Sequence, residues 1–135
     1  MDFDFSKVKN ICVVGLRDNP TRPSYMVSEY LKRKGFKIIP VNLAGEDVLG
    51  EKGYKSIADI PLEIPIDIAD FFVRADNVYP LVAEALDRGI KVIWLQVGIA
   101  DKEAARLAEE KGATMIMDRC IKVAHEGQQG RSCSL

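Results

Sequence analysis

The sequence predicts an α/β fold in which helices cover both faces of a five-stranded parallel sheet. Three observations predict it. A short apolar run ends at Gly15 and leads through a polar loop into an amphipathic helix. One type of helix-to-strand junction occurs three times, and strand and helix patterns alternate over most of the chain. Such alternation is typical of a three-layer α/β domain.

The repeated junctions begin at Lys34, Arg88 and Lys111. Each places a cation in the last turn of a helix, then a glycine suited to the left-handed cap, then an apolar run. The preceding helices show a 3.6-residue period, which groups Val27, Tyr30 and Leu31; Val78, Val82, Ala85 and Leu86; and Ala104, Leu107 and Ala108.

The apolar runs predict strands at 11–15, 36–41, 66–73, 90–96 and 114–117. Residues 42–65 are rich in glycine and proline, so we expect a loop there, with one helical turn near 56–60. The pattern favours a Rossmann-like fold with strand order 3-2-1-4-5. Its ligand crevice would lie over the carboxyl ends of strands 1 and 4.

Composition narrows the class of protein. The 135 residues are 47% hydrophobic and 29% charged, with a net charge of −1. This balance argues against a nucleic-acid binder, and no apolar run reaches the roughly 20 residues of a membrane span. The cysteines form no disulfide or metal pattern, so we expect a reduced, cytoplasmic protein. We predict one domain over 1–126 and a flexible polar tail over 127–135. The sequence does not decide between a monomer and a homo-oligomer.

The loop after Gly15 predicts a phosphate site, because a helix N-terminus offers free N–H groups and a positive dipole end. The dinucleotide fingerprint requires glycines at the first, third and sixth positions. Here the third and sixth positions are Arg17 and Pro20. A phosphorylated ligand other than NAD is therefore favoured.

Residues just past the strand ends are the candidate site, and they are arginines and neutral amides rather than an acid–base pair. Arg17 and Arg22 are either phosphate ligands or solvated surface charges. Pro23 suits the first helical position, and Ser24 is a cap, a phosphate ligand or both. Asn42 contacts a ribose or only makes a turn.

The cysteines and the single histidine have different expected roles. Cys12 lies in a strand and is expected to be inert packing. Cys120 follows Arg119, so it is either the one reactive thiol or a half-buried residue that closes the last strand. His125 is expected at the surface.

The ordered motifs of residues 8–126 resemble the single-domain CoA-binding proteins, a family similar to the CoA-binding domain of the succinyl-CoA synthetase α subunit. The resemblance is carried by VVGL…PTRPSY (13–25), IPVN (39–42), LGEK (49–52), IADIP (57–61), FFVR (71–74), VIWLQ (92–96) and MDRC (117–120). It implies a Rossmann-like fold that holds coenzyme A across the strand ends.

The resemblance also assigns residues. It implies that the phosphates are surrounded by Gly15, Leu16, Arg17, Arg22, Pro23, Ser24 and Tyr25. The adenosine end would be lined by Val41, Asn42, Phe72, Val73 and Arg74, with Gln96 beside the pantetheine arm and Cys120 near the thiol. The family usually has small residues, often Ala-Ser, where this chain has Leu16-Arg17.

The favoured function is non-catalytic binding of coenzyme A or an acyl-CoA. The resemblance implies that thioester-forming ligases need a phosphorylatable histidine in a second domain and a nucleotide-grasping subunit, neither of which fits in 135 residues. Two alternatives stay open. In the first, the chain is an accessory subunit of an NDP-forming acyl-CoA synthetase. In the second, it is an NAD(H)-binding redox sensor. No metal, nucleic acid or membrane partner is expected.

Overall fold

The computed structural model describes residues 3–128. Its strands are β1 (Asn10–Val14), β2 (Lys37–Val41), β3 (Ile68–Phe71), β4 (Val92–Leu95) and β5 (Thr114–Ile116). Its helices are α1 (Pro23–Arg33), α2 (Val78–Asp87), α3 (Lys102–Glu110) and α4 (Ile121–Gln128), with 3-10 turns at Ile57–Asp59 and Ala75–Asn77. Most of the predicted tail, including Cys133, lies outside the described residues, while positions 127 and 128 belong to α4.

The α/β fold is confirmed. All five strands lie in one sheet, and every neighbouring pair is parallel. The predicted strands and the helical turn near 57 are found, the strands within a few residues. Gly35, Gly89 and Gly112 have φ of 100°, 90° and 72°. They therefore take the left-handed conformation that the three repeated junctions predicted.

The predicted strand order is wrong. The sheet runs β2-β1-β3-β4-β5, so β3 pairs with β1 on the side opposite to β2. The chain reverses direction between β1 and β3, which places the crevice there rather than beside the fourth strand.

The segment after β2 explains the error. In the predicted order, a third strand would lie outside β2, but that position holds only Tyr54, in an isolated parallel bridge with Val41. The N–H of Tyr54 donates to the carbonyl of Pro40, and the N–H of Asn42 donates to the carbonyl of Tyr54. Because the glycine-rich segment forms a single bridge to β2 and none of the strands of the described sheet, the next full strand crosses to the other side of β1.

The helices form two layers, one on each face of the sheet. We call the side covered by α2 and α3 the α2/α3 face and the opposite side the α1/α4 face. Successive strand residues alternate between the faces, so Cys12 and Phe71 pack on the α2/α3 face and Val13 and Trp94 on the α1/α4 face. The predicted apolar stripes of α1 and α2 are buried against these faces.

Arg88 fixes the irregular segment after β2 to the α2/α3 side. Its guanidinium donates to the carbonyls of Ile57, Ile60, Pro61 and Ile64 at 2.8–3.0 Å. The carbonyls of Ile57 and Pro61 also accept backbone N–H groups, from Ile60 and Ile64. Arg88 therefore adds side-chain donors to a loop that has few backbone bonds of its own. This one side chain gives the loop a defined path without a strand.

The α1/α4 face buries polar groups. The prediction that His125 lies at the surface is wrong: it is 5% exposed, and its Nδ1 is hydrogen-bonded to the Tyr30 hydroxyl at 2.7 Å. The rings of Phe5 and Phe36 pack edge-on against it, each 5.2 Å away. A period drawn from α4 alone does not show this, because the contacts that bury His125 come from α1, from Phe36 just before β2 and from Phe5 near the N-terminus.

Candidate functional site

A cavity of about 890 Å³ opens at the carboxyl edge of the sheet, above β1 and β3. Its volume is within the range typical of cofactor sites. The lining residues are Val14, Gly15, Arg17, Arg22, Pro23, Ser24, Val27, Val41, Asn42, Leu43, Lys55, Ser56, Phe72, Val73, Arg74, Asn77, Leu81, Glu84, Gln96, Val97, Ile99 and Cys120.

The fold brings nearly all the sequence-predicted site residues to this cavity. The exceptions are Leu16 and Tyr25. The Leu16 side chain is fully buried in the α1/α4 core, and Tyr25 packs against that same core. Both belong to the predicted loop, but their side chains point into the protein rather than line the cavity.

Gly15 allows the loop after β1 to pass directly over the end of β3. Its N–H donates to the carbonyl of Val41 at 2.7 Å, and its φ is +95°. A Cβ at this position would lie 2.2 Å from the carbonyl oxygen of Phe72. A side chain is therefore excluded by both the backbone conformation and the space.

The N-terminal end of α1 faces the cavity. Arg22 is the N-cap residue and Pro23 the first helical residue, as predicted. The cap role considered for Ser24 is wrong, because Ser24 lies inside the first turn, where it is buried. No side chain among the described residues caps α1, and the Tyr25 N–H donates to the Arg22 carbonyl at 3.1 Å. Because Pro23 has no N–H, the Ser24 N–H is the first-turn donor left unpaired among the described residues. A helix end of this kind attracts anions.

Asn42 makes more than a turn. Its Nδ2 donates to the carbonyls of Leu16 (2.9 Å) and Glu46 (3.1 Å), and its Oδ1 accepts from the N–H of Glu46 at 2.8 Å. The side chain is 5% exposed, and its amide joins the loop after β1 to the loop after β2. Its acceptor oxygen is therefore already used within the protein.

Glu46 continues this connection toward the cavity. Its Oε1 accepts from Arg17 Nε at 3.0 Å and from the N–H of Asp18 at 3.1 Å. The Asp18 N–H, and then Arg17, lower the pKa of Glu46 below its usual value. The carboxylate thus stays charged and paired with Arg17 at neutral pH.

The cavity wall opposite the loops after β1 and β2 is formed by the loops after β4 and β5. Gln96 is 6% exposed, and its Oε1 accepts from the N–H of Ile121 at 3.1 Å, at the start of α4. Asp118, with φ of 58°, accepts from the N–H of Gly98 at 2.7 Å. These bonds tie the two loops together and place the half-buried Cys120 at the cavity.

The cavity is basic. Of the part of the chain that the structure describes, Arg17, Arg22, Lys55 and Arg74 line it, against one carboxylate, that of Glu84. A chain that is almost neutral as a whole therefore concentrates positive charge at one edge, as the binding of a phosphorylated ligand requires. Arg74 is 82% exposed in its side chain and lies 3.5 Å from Asp76.

Sequence reasoning missed part of the lining. Leu43 and Val97 lie two residues past the ends of β2 and β4, and this position was enough to identify them. The helical spacing of Asn77, Leu81 and Glu84 also places them on one face of α2 and its first turn. Lys55 and Ser56 gave no such signal, because their segment is irregular. The other missed residues are Val14, Val27 and Ile99.

The described residues contain neither a metal-binding cluster nor a membrane-spanning helix. Among residues 3–128, no three His, Cys, Asp or Glu side chains are grouped to hold a metal ion. Within the same range, no helix combines the length and apolarity needed to cross a membrane.

Comparison with known proteins adds independent findings. Residues 9–126 match a family model described as "CoA binding domain". The chain is 44% identical over 117 residues to "Uncharacterized protein YneT" of Bacillus subtilis (strain 168), which covers 87% of this chain and 85% of the relative. A solved structure of a hypothetical protein from Pyrococcus horikoshii OT3 has a TM-score of 0.88 and 35% identity, with 93% of this chain and 87% of that chain covered.

A larger protein contains a similar region. The chain is 30% identical over 134 residues to "Acetate--CoA ligase (ADP-forming) II subunit alpha" of Pyrococcus furiosus. The match covers 91% of this chain and 29% of the ligase subunit, so the chain spans less than a third of that relative.

Proposed function

The chain belongs to the family of CoA-binding domains, and from that premise we propose that it binds coenzyme A, as the free thiol or an acyl thioester, in the cavity at the carboxyl edge. One observation carries the proposal. Within the region matched by the family, the fold builds a cavity of about 890 Å³ with four basic side chains at its wall.

The distribution of side chains fits the parts of this ligand. Arg17, Arg22 and the Ser24 N–H in the first turn of α1 offer donors to phosphates. Val41, Phe72, Val73 and Arg74 would contact the adenosine end. Gln96 and Cys120 would lie along the uncharged arm, where apolar neighbours such as Val97 and Ile99 contribute contact area.

We propose that binding involves no chemistry by this chain alone. Acyl-phosphate chemistry of the ligase type needs a nucleophile that accepts a phosphoryl group. His125, the only histidine, is 5% exposed and bonded to Tyr30, away from the cavity lining. The purified chain, given acetate, ATP and CoA, is expected to release no ADP; ADP release at a rate proportional to protein would contradict this part of the proposal.

An accessory role in a ligase is a second candidate. It is favoured by the similarity to 29% of a ligase α subunit, because a domain-sized part of a ligase suits a chain that acts with partners. A nicotinamide cofactor is less compatible with the site. Asn42 stands where a ribose-binding carboxylate would be, and its Oδ1 is occupied by the N–H of Glu46.

Native mass spectrometry of the purified chain, followed by calorimetric titration with CoA, acetyl-CoA and NAD⁺, tests the proposal. We expect a complex of one CoA or acyl-CoA per chain and no complex with NAD⁺. Binding of NAD⁺ with failure to bind either CoA species would reject the proposal.

A further inference from the structure

Arg17 is held in place by a carboxylate outside the cavity lining. Its Nε donates to Glu46 Oε1 at 3.0 Å, and the structure shows no acceptor for its Nη atoms among the described residues. Arg17 lines the cavity, but Glu46 does not. The ion pair therefore uses the inner edge of the guanidinium and leaves the terminal nitrogens for an anion in the cavity.

The backbone of Glu46 is itself fixed. The Asn42 side chain bonds to both the N–H and the carbonyl of Glu46. Gly53 packs so closely that a Cβ there would lie 1.9 Å from the Glu46 carbonyl oxygen. A carboxylate on such an anchored residue defines where Arg17 can lie.

We propose that Glu46 is a positioning residue for Arg17, and that Asn42, Glu46 and Arg17 form a relay that orients one guanidinium toward a ligand phosphate. This inference rests on the proposed function. It gives a physical account of the Leu16-Arg17 departure from the usual family pattern. A long, mobile cation takes the place of a small residue here, and it gains a defined orientation from the loop after β2.

A double-mutant cycle in CoA binding tests the relay. Calorimetry compares the wild-type chain with Glu46→Gln, Arg17→Ala and the double variant. Glu46→Gln keeps the shape and one acceptor oxygen but removes the charge, so affinity should fall about threefold to fivefold. In the Arg17→Ala background, the same substitution should have no further effect. Glu103→Gln is the matched control, because Glu103 pairs with Arg106 on α3, away from the cavity.

Three results would overturn the inference. Unchanged affinity in Glu46→Gln would show that the pair is irrelevant to binding. An equal loss in the Arg17→Ala background would show that Glu46 only supports the loop. Higher affinity would show that Glu46 competes with the ligand for Arg17.

A measurement without ligand separates this inference from the proposed function. The Arg17 Nε–H signal in ¹⁵N NMR should exchange slowly with water in the wild-type chain and quickly in Glu46→Gln. Equal exchange in both would reject the relay whether or not the chain binds CoA. Failure of the wild-type chain to bind any CoA species would reject the proposed function alone.

Discussion

The two faces of the sheet are stabilised differently, although each is covered by two helices. On the α2/α3 face, no polar side chain of either helix is buried among the described residues. On the α1/α4 face, the core encloses Asp70, Ser28 and the bonded pair of Tyr30 and His125. Within residues 3–128, the side-chain oxygens of Asp70 and Ser28 have no hydrogen-bond partner.

Both faces border the cavity, and the α2/α3 face does so through Leu81 and Glu84 of α2. The N-terminal end of α1 supplies Arg22, Pro23 and Ser24 to one side of the cavity. The N-terminal end of α4 adjoins Cys120 on the other side. The α2/α3 face contributes mainly apolar packing, whereas the α1/α4 face encloses the carboxyl of Asp70 and the imidazole of His125. We therefore expect pH to act on stability mainly through the α1/α4 face.

The largest expected contrast is between two thiols. Burial raises the pKa of Cys12, on the α2/α3 face, to about 12, with the nearby Asp70 adding to the effect. The half-buried Cys120 borders the cavity. In a Cys133→Ser background, iodoacetamide at pH 8 should modify Cys120 at least about a thousandfold faster than Cys12.

Peptide mapping by mass spectrometry measures both rates in one sample. Addition of 4 M urea is the control, since unfolding should bring the two rates together. Similar rates in the native protein would mean that the α2/α3 face is not closed around Cys12.

The next largest effect is expected on ligand affinity. Replacing Arg17 and Arg22 together by Ala should weaken CoA binding on the order of 100-fold, because two charge-assisted contacts are lost. The salt dependence of binding should also decrease. Titration calorimetry at two salt concentrations measures both changes.

Arg74 lies on the other side of the cavity, and the CoA affinity of its alanine variant is compared with that of the double variant. It is 82% exposed and lies near Asp76, so Arg74→Ala should weaken binding only about threefold. A greater loss for Arg74→Ala than for the double variant would place the phosphates against β3 and α2 instead.

Asp70 should make the protein less stable as pH rises. Burial raises the pKa of this carboxyl well above 3.8. Below pH 4 the group is neutral in both folded and unfolded chains. Above it, only the unfolded chain releases the proton, so stability falls with pH until the folded-state pKa is reached.

Asp70→Asn removes the ionisation with little change of shape. The variant should be more stable at pH 7 by about 1 kcal/mol, and should lose the decline above pH 4. Urea unfolding between pH 4 and 8 measures this. Asp87→Asn on α2 is the control; an identical pH dependence in wild type and Asp70→Asn would mean that the carboxyl is not buried as a neutral group.

His125 should make the protein more stable as pH rises, which is opposite to the effect of Asp70, and its effect should be smaller. Burial, and then the charge of Lys34, lower its pKa below 6.5. Lys122 and Arg33 also lie 5.4 Å and 5.9 Å from the centre of the Tyr30 ring. Above pH 6.5 the imidazole is neutral in both states. As pH falls, the unfolded chain takes up the proton first, so stability is lost toward acid.

Tyr30→Phe tests the bond that holds this histidine. We expect a loss of about 1 kcal/mol at pH 7.5, since the Nδ1 atom loses its buried partner. Tyr79→Phe is the control, because Tyr79 is 41% exposed. Equal urea midpoints for Tyr30→Phe and the wild-type chain would show that the bond adds nothing to stability.

Part of the site was accessible from sequence because it follows a positional rule. Gly15, Asn42, Phe72 and Gln96 come just after strands, and parallel strands end at one edge of a sheet. Side-chain direction was not accessible in this way. Leu16 and Arg17 are adjacent in the chain, but one points into the core and the other to the cavity.

The sequence by itself determined the strands, the helices α1, α2 and α3, the three glycine-capped junctions and the α/β class, but it did not predict α4. These depend on residues within a few positions of one another, through periodicity, capping and β-propensity. Only the tertiary structure decided that β3 lies beside β1, that His125 is buried and that Glu46 holds Arg17. Each of these results from contacts between distant segments, whose balance of packing, desolvation and hydrogen bonding no local pattern records.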